Sequence, residues 1–241
     1  MTDPDHEPIL AIDVGGSGIK AAPVDLDGNL QQDKVRVETP TGAHPDEIVQ
    51  AIVELVEPLP RCRRVAVGFP GMVRRGRVLT APNLGHDAWR GYPLAERLAA
   101  ELDAEVRLAN DADVQGLAVI EGKGLEMVCT LGTGFGTGLY EDGRLCPHLE
   151  LAHVRFRKGE TYDEQLGDAA RETIGKRRWR KRVRKAIANM RALVHFDRLY
   201  LGGGNADHLD PDDLPDDVTI VDNKAGIAGG AALWRPGVGA T

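Results

Sequence analysis

The feature that most constrains this chain is a glycine-loop unit that occurs twice. Ile9 to Asp13 is a short apolar run entering Val14-Gly15-Gly16-Ser17-Gly18, after which Ile19 to Leu26 resumes an extended pattern and ends at Asp27-Gly28. Met127 to Leu131 likewise runs into Gly132, Gly134, Gly136 and Gly138, then Leu139-Tyr140 and Asp142-Gly143. Each stretch reads as strand, glycine turn, strand and Asp-Gly turn. Asp13-x-Gly15 and Thr130-x-Gly132 lie 117 positions apart, and the two Asp-Gly turns 115 apart. Matching separations of this kind mark an internal duplication, and they predict two related lobes.

Between these landmarks, strands and helices alternate. Pro45 to Val56 has helical spacing at Ile48, Ile52, Leu55 and Val56, and Arg64 to Phe69 is a buried-type strand ending in Gly68-Phe69-Pro70-Gly71. Pro93 to Leu102 is a second amphipathic helix, and Glu105 to Ala109 is a strand that delivers Asn110-Asp111. From Gly159 to about Phe196 the pattern is helical, with Trp179, Val183, Ile187, Met190 and Val194 at spacings of three and four. Asp197 to Leu201 is a strand entering Gly202-Gly203-Gly204; an acidic loop, Asp207 to Asp217, follows, and then a small-residue apolar helix from Ala225 to Trp234 that is expected to pack on the first lobe. The alternation predicts an α/β protein with mixed sheets. The expected division is a small N-terminal lobe over residues 1–109, completed by the C-terminal helix 225–241, and a larger lobe over 110–224.

Three glycine loops follow strands, and glycine lets main-chain amides turn toward phosphate oxygens with no side chain in the way. None is G-x-x-x-x-G-K-[ST] or a strict G-x-G-x-x-G, which excludes the simplest P-loop and dinucleotide readings. Taken singly, each could be only a tight hairpin turn. Asp13 ends its strand two residues before Gly15, where a carboxylate can hold the hydration shell of a Mg²⁺ riding on a transferred phosphate; its alternative role is a turn cap. Lys20, in the following strand, is as compatible with solvent as with phosphate. Asn110-Asp111 stands at a strand exit, where open α/β sheets place ligand residues. A hydroxyl attacking phosphorus benefits from a carboxylate that takes its proton, a role open to Asp111, although the pair could instead cap the next helix, Ala112 to Glu121. Glu150 and His153, three apart, supply acceptor and donor capacity for neighbouring hydroxyls if the turn is tight. Asn83, in Pro-Asn-Leu, adds a candidate amide contact.

Taken in order, these motifs resemble the ROK family (repressors, uncharacterised reading frames and sugar kinases), within it the glucokinase and polyphosphate glucokinase branch. DVGGSGIK at 13–20, GFPG at 68–71, PNL at 82–84, NDAD at 110–113, LGTGFGTG at 131–138 and LGGG at 201–204 carry the likeness over nearly the whole chain. The resemblance implies a duplicated actin-like (ribonuclease H-like) sugar kinase fold, two lobes with a cleft between them. It implies a hexokinase-type phosphotransferase in which Asp111 is the base and Asn83, Asn110, Glu150 and His153 hold glucose. Asp13, Gly15, Gly16, Ser17, Gly132, Thr133, Gly134, Gly202 and Gly203 would hold the phosphoryl donor, polyphosphate or ATP, with Mg²⁺ bound to Asp13 through water. Family members commonly follow E-x-G-H with a cysteine-rich zinc cluster; here Ala152 replaces the glycine and no cysteine follows His153 before Asp168, so structural zinc is not expected. The family's further sugar-binding glutamate falls at Asp163 or Glu164. The family also implies a homodimer, though no residue of the chain marks its interface.

Composition narrows the rest. A net charge of −7, with 42% hydrophobic and 28% charged residues, is that of a soluble globular protein. Cys62, Cys129 and Cys146 are odd in number and scattered, which fits a reducing cytoplasm better than a disulfide framework. The polar first eight residues predict no signal peptide, and no apolar run reaches the roughly 18 residues of a membrane span. KRRWRKRVRK at 176–185 carries +8, against −15 for the rest of the chain. Such a helix must either pair with the acidic loop at 207–217, be solvated, or meet a polyanion, whether polyphosphate for a kinase or nucleic acid for a regulator. ROK repressors carry an N-terminal helix-turn-helix, for which the dozen residues before Asp13 leave no room, so nucleic-acid binding is not expected. The remaining alternatives are an ATP-dependent kinase of another hexose and a non-catalytic sugar-responsive regulator.

Overall fold

The computed structural model describes residues 7–40, 42, 44–82, 84–85, 87–221 and 227–238. They form two compact units, one comprising the chain up to Ala118 together with the C-terminal segment from Ala225, the other running from Val119 to Lys224.

In the first unit, β1 (Ile9–Val14), β2 (Ile19–Val24) and β3 (Val35–Val37) form an antiparallel meander, followed by helix α1 (Pro45–Val56). β4 (Arg64–Phe69) joins β1 in parallel. After a small ribbon, β5 (Val73–Arg74) and β6 (Arg77–Val78), helix α2 (Leu94–Leu102) leads to β7 (Glu105–Asn110), which pairs in parallel with β4, and then to α3 (Asp111–Leu117). The sheet order is β3-β2-β1-β4-β7. Local chemistry explains the elements: α1 opens on a reciprocal capping box between His44 and Glu47 with Pro45 in its first turn, and buries Ile48, Ile52 and Val56. These join Leu10, Ile12, Val67, Phe69 and Trp89 in one apolar core.

The second unit repeats this plan. β8 (Leu125–Leu131), β9 (Phe135–Glu141) and β10 (Arg144–Leu145) form the meander. After the ribbon β11 (Arg155–Arg157) and β12 (Glu160–Thr161) come α4 (Tyr162–Leu166), α5 (Asp168–Ile174) and α6 (Lys176–Val194), and then β13 (Arg198–Gly202) and β14 (Val218–Ile220), both parallel to β8. The order β10-β9-β8-β13-β14 reproduces that of the first sheet, strand for strand and in the same polarity. The duplication seen in the spacing of glycines is thus a duplication of topology. A separate core gathers around Trp179, Val183, Ile187 and Met190 of α6, and the Trp179 indole N–H donates to the Leu166 carbonyl at 2.8 Å.

Three boundaries differ from the expectation. The helical stretch from Gly159 begins as strand and is then broken at Gly167 and Gly175. A Cβ at Gly167 would lie 2.4 Å from the Thr133 carbonyl, and Gly175 has φ +78°, so both glycines are imposed by the chain path. Helix α3 ends at Leu117 rather than Glu121, because the buried carboxylate of Glu126 accepts the N–H groups of Glu121, Gly122 and Lys123 and turns the chain there. The units divide after Ala118 rather than Ala109, since α3 packs on β4, β7 and the C-terminal helix Ala228–Ala232.

That last helix is built of small residues because backbone meets backbone. A Cβ on Gly229 would lie 1.8 Å from the Val114 carbonyl oxygen of α3, and one on Gly230 would lie 2.9 Å from Ala11 Cβ. Neither neighbour is the free end of a side chain. Gly229→Ala is therefore expected to destabilise the protein by about 1–3 kcal/mol, read as a lowered urea midpoint at unchanged m-value. An unchanged midpoint would show that the helix does not press on α3.

Candidate active site

Parallel register fixes which groups share an end of the first sheet. Asp13 of β1 lies opposite Gly68 of β4, and Gly68 lies opposite Ala109 of β7, so Asp13, the Gly68–Gly71 turn and Asn110-Asp111 come off the carboxyl ends of three adjacent strands. Two strand spacings separate the outer pair, roughly 10 Å. Burial pushes the Asp13 carboxyl above its ordinary pKa, opposed by Lys20, whose Nζ is 3.7 Å away, and by Lys34.

Asn110 is the keystone of this end. Its Oδ1 accepts the N–H groups of Ala112, at 2.8 Å, and Asp113, at 3.4 Å, which caps α3. Its Nδ2 donates to the carbonyls of Gly71, at 3.1 Å, and Phe69, at 3.5 Å. Gly71 in turn has no room for a side chain, since a Cβ would lie 2.0 Å from the Thr80 carbonyl. Buried at 6% exposure, Asn110 spends its polar atoms on the fold and so sets the first turn of α3, where the half-buried Asp111 stands. Asn110 makes the cap, and Asp111 stands half-buried in the first turn, its Oδ1 also accepting the Ala112 N–H at 2.8 Å. Asn83 lies outside the described residues.

The glycine loops are more differentiated than their sequences. The Gly15 N–H donates to the Gly18 carbonyl and the Gly132 N–H to the Gly134 carbonyl, both at 3.0 Å, so these two amides close their own turns. Among the described residues, the amides of Gly16, Ser17 and Thr133 make no hydrogen bond. Thr39 braces the first loop, its hydroxyl donating to the Gly15 carbonyl at 2.6 Å. In the second unit the Gly132 carbonyl accepts from Asp168 N–H and Asn205 Nδ2, both at 3.0 Å, while Arg171 Nε donates to Asn205 Oδ1 at 2.8 Å. Gly202 ends β13 beside Thr130, and Gly203, at φ +88°, crosses so close to β8 that a Cβ would lie 2.2 Å from the Leu131 carbonyl. Asp163 Oδ1 accepts the Phe135 N–H at 2.7 Å and lies against Gly134, whereas Glu164 is committed to a capping box with Thr161. Of the two, it is Asp163 that faces the glycine loop.

His153 sits in a tight turn in which Val154 N–H donates to the Leu151 carbonyl, and Glu150 immediately precedes that turn. Sequence spacing missed a third member. His148 Nε2 is 3.7 Å from Glu150 Oε2, and this contact, with a smaller contribution from His153, holds the Glu150 carboxyl below its ordinary pKa against the opposing effect of burial. His153 is exposed.

The basic helix is answered in part from within. Arg180 faces Asp210 at 3.8 Å, Arg184 meets Asp213 at 2.9 Å, and Arg191 grips both oxygens of Asp217. Pairing with the acidic loop therefore accounts for three arginines. Among the described residues, Lys176, Arg177, Arg178 and Lys181 have no such partner and line an open depression of about 450 Å³ with Ile174 and Gly175.

The ROK family model matches residues 9–149. The chain belongs to the ROK family. This ROK protein is 34% identical over 240 aligned positions to a polyphosphate glucokinase of Mycobacterium tuberculosis, covering 92% of the chain and 89% of the relative. It is 33% identical to a polyphosphate glucokinase of Mycobacterium leprae, covering 92% of the chain and 73% of the relative. Among solved structures, the inorganic polyphosphate/ATP-glucomannokinase of Arthrobacter sp. strain KM superposes with a TM-score of 0.81 at 31% identity, covering 94% of this chain and 97% of that one. A ROK glucokinase from Streptomyces griseus, at 21% identity and TM-score 0.74 over 94% of this chain and 97% of that one, shares the fold. The duplicated sugar kinase fold implied by the motifs is the fold observed. No helix among the described residues is long and apolar enough to cross a membrane.

Since its folded-state pKa lies below the unfolded one, Glu150 contributes stability that is fully present above about pH 4.3 and is lost as pH falls through the lower folded value. Carboxyl ¹³C NMR should place the wild-type Glu150 titration below that reference, and His148→Ala should move it upward. An unmoved titration would remove His148 from the pair.

Proposed function

We propose that this ROK protein is a glucokinase that transfers a phosphoryl group from inorganic polyphosphate, ATP or both to the 6-hydroxyl of glucose, with Asp111 as general base. The observation that carries the reading is Asp111 in the first turn of a helix whose cap is fixed by the strand end beside Asp13, in a chain whose relatives are named polyphosphate glucokinases.

The chemistry follows from the placement. A helix start favours the ionised form of a carboxylate in its first turn, so Asp111 is poised to accept the hydroxyl proton as the oxygen attacks phosphorus. Glu150, kept ionised by His148, accepts from sugar hydroxyls, and His153 adds a donor. The unengaged amides of Gly16, Ser17 and Thr133 bind donor oxygens, and Gly15, Gly132 and Gly203 shape the turns that present them. A Mg²⁺ bound to the donor would neutralise phosphate charge; it asks of the protein a carboxylate able to receive its water ligands, and the half-buried Asp13 at the mouth of the loop suits that demand. Asn110 acts on sugar through the position it gives Asp111. The unpaired cations at the start of α6 favour a long polyanion over a nucleotide as donor. A cytoplasmic setting, where both donors occur, belongs to this reading. The likeness to a glucomannokinase makes mannose the second acceptor to consider.

Asp111→Ala is expected to lower kcat at least a hundredfold while glucose affinity, measured calorimetrically, stays within a few-fold; unchanged turnover would take the base role away from Asp111. A matrix of ATP and polyphosphate against glucose, mannose, fructose and N-acetylated hexoses should give its highest kcat/KM for polyphosphate with glucose. Absence of activity with every pair would refute the kinase reading.

A further inference from the structure

The residue opposite Lys20 on the neighbouring strand is Arg36, and the residue opposite Lys20 on the other side is Asp13. Directly paired residues share a face of a sheet, so Asp13, Lys20 and Arg36 form a row across β1, β2 and β3 beside the first glycine loop. Lys34 adds a further positive charge that acts on Asp13. The row carries one negative and two positive charges, and the surplus is positive.

Arg36 lies directly on the loop. A Cβ built on Gly18 would fall 2.8 Å from Arg36 Nε, 3.0 Å from Nη2 and 3.3 Å from Cζ, so the guanidinium plane occupies the space that any side chain at position 18 would need. Gly18 is not among the positive-φ glycines, so the space beside it is set by the movable guanidinium of Arg36 and not by backbone strain. The same segment is fastened to the loop three residues later, where the Thr39 hydroxyl donates to the Gly15 carbonyl at 2.6 Å and its N–H to the Ser17 carbonyl at 3.5 Å. Despite this, the Arg36 guanidinium makes no hydrogen bond or ion pair with any described residue, and the neighbouring amides of Gly16 and Ser17 are equally unengaged. An exposed, positively charged planar fork thus lies against Gly18, in the loop that carries these open amides, with no anion among the described residues paired to it. Carboxylates and phosphates are the groups that match such a fork with two parallel hydrogen bonds.

We propose that Arg36 is a donor-binding residue of this kinase: its guanidinium, laid over Gly18, grips phosphate oxygens of the phosphoryl donor beside the Gly16 and Ser17 amides. The assignment rests on the kinase reading above. It supplies the cation that a Walker lysine gives in P-loop enzymes, a residue this loop lacks. Because the fork reads phosphate alone, it serves a nucleotide tail and an inorganic chain equally.

The test compares Arg36→Ala and Arg36→Lys with the wild type, using ATP and polyphosphate as donors. Arg36→Ala is expected to raise the donor KM at least tenfold and leave the glucose KM within twofold. Arg36→Lys, which keeps charge but loses the fork, should fall between. Gly18→Ala should displace the guanidinium and raise the donor KM as well. The Gly18→Ala/Arg36→Ala double variant should then be no worse than the poorer single variant, because both act through one contact. A donor KM within twofold of wild type in Arg36→Ala, or an equal rise in both KM values, overturns the proposal. Should Arg36→Ala melt well below the wild type, Arg36→Lys carries the comparison under the same criteria. If the wild type transfers phosphate to no sugar, the kinase reading fails by itself. Calorimetric binding of inorganic tripolyphosphate to wild type and Arg36→Lys then decides this site, with equal affinities counting against it.

Discussion

The side chain of Asn110 holds together the end of the first sheet at which Asp13 and Asp111 stand. Its oxygen caps α3, and its amide nitrogen ties that cap to the carbonyls of Phe69 and Gly71 at the end of the neighbouring strand. A buried amide with all its partners in place costs little, whereas one left unsatisfied costs about 1–3 kcal/mol. The arrangement is consequently stiff, and the carboxylate one residue later inherits that stiffness. Gly71 belongs to the same device, because only a residue without a side chain lets its carbonyl approach while the Thr80 backbone passes so close.

The glycine loops show the same economy of parts. In each unit the first glycine of the loop satisfies its own N–H inside the turn, leaving the tip amides to face outward. The turns are braced from a distance: Thr39 on the first, and Asp163, Asp168 and Asn205 on the second. A loop held in shape before any ligand arrives loses less entropy on binding than one that must be ordered.

Charge is distributed with equal specificity. The helix α6 holds nine of the chain's 30 Lys and Arg residues and no acidic one; its arginines 180, 184 and 191 meet aspartates of the following acidic loop, while its first turn stays unpaired. Exposed pairs of this sort contribute little stability individually. Their consequence is to leave a short, concentrated cationic surface at one end of the helix instead of a uniform one.

Much of this was legible in the sequence. Glycine-loop spacing disclosed the duplication, and apolar periodicity placed α1, β4, α2, β7 and the Trp179 stripe to within a residue or two, because both signals are local and set by backbone geometry. Asp13, Asp111, Glu150 and His153 were visible as chemical types at strand exits and turns. Hidden from it were the contacts set by the folded chain: His148 beside Glu150 only two residues away, Thr39 and Arg36 on the first loop, the choice of Asp163 over Glu164 at the second, and the carbonyls that claim Asn110. The breaks at Gly167 and Gly175 were hidden too, for a glycine in a helical pattern does not announce whether a distant backbone will crowd it. Sequence alone determined which elements form and which groups are chemically able to act. Tertiary structure decided which of those groups are consumed by the fold and which are left to meet a ligand, since hydrogen-bond saturation depends on neighbours that only the folded chain brings within about 3 Å.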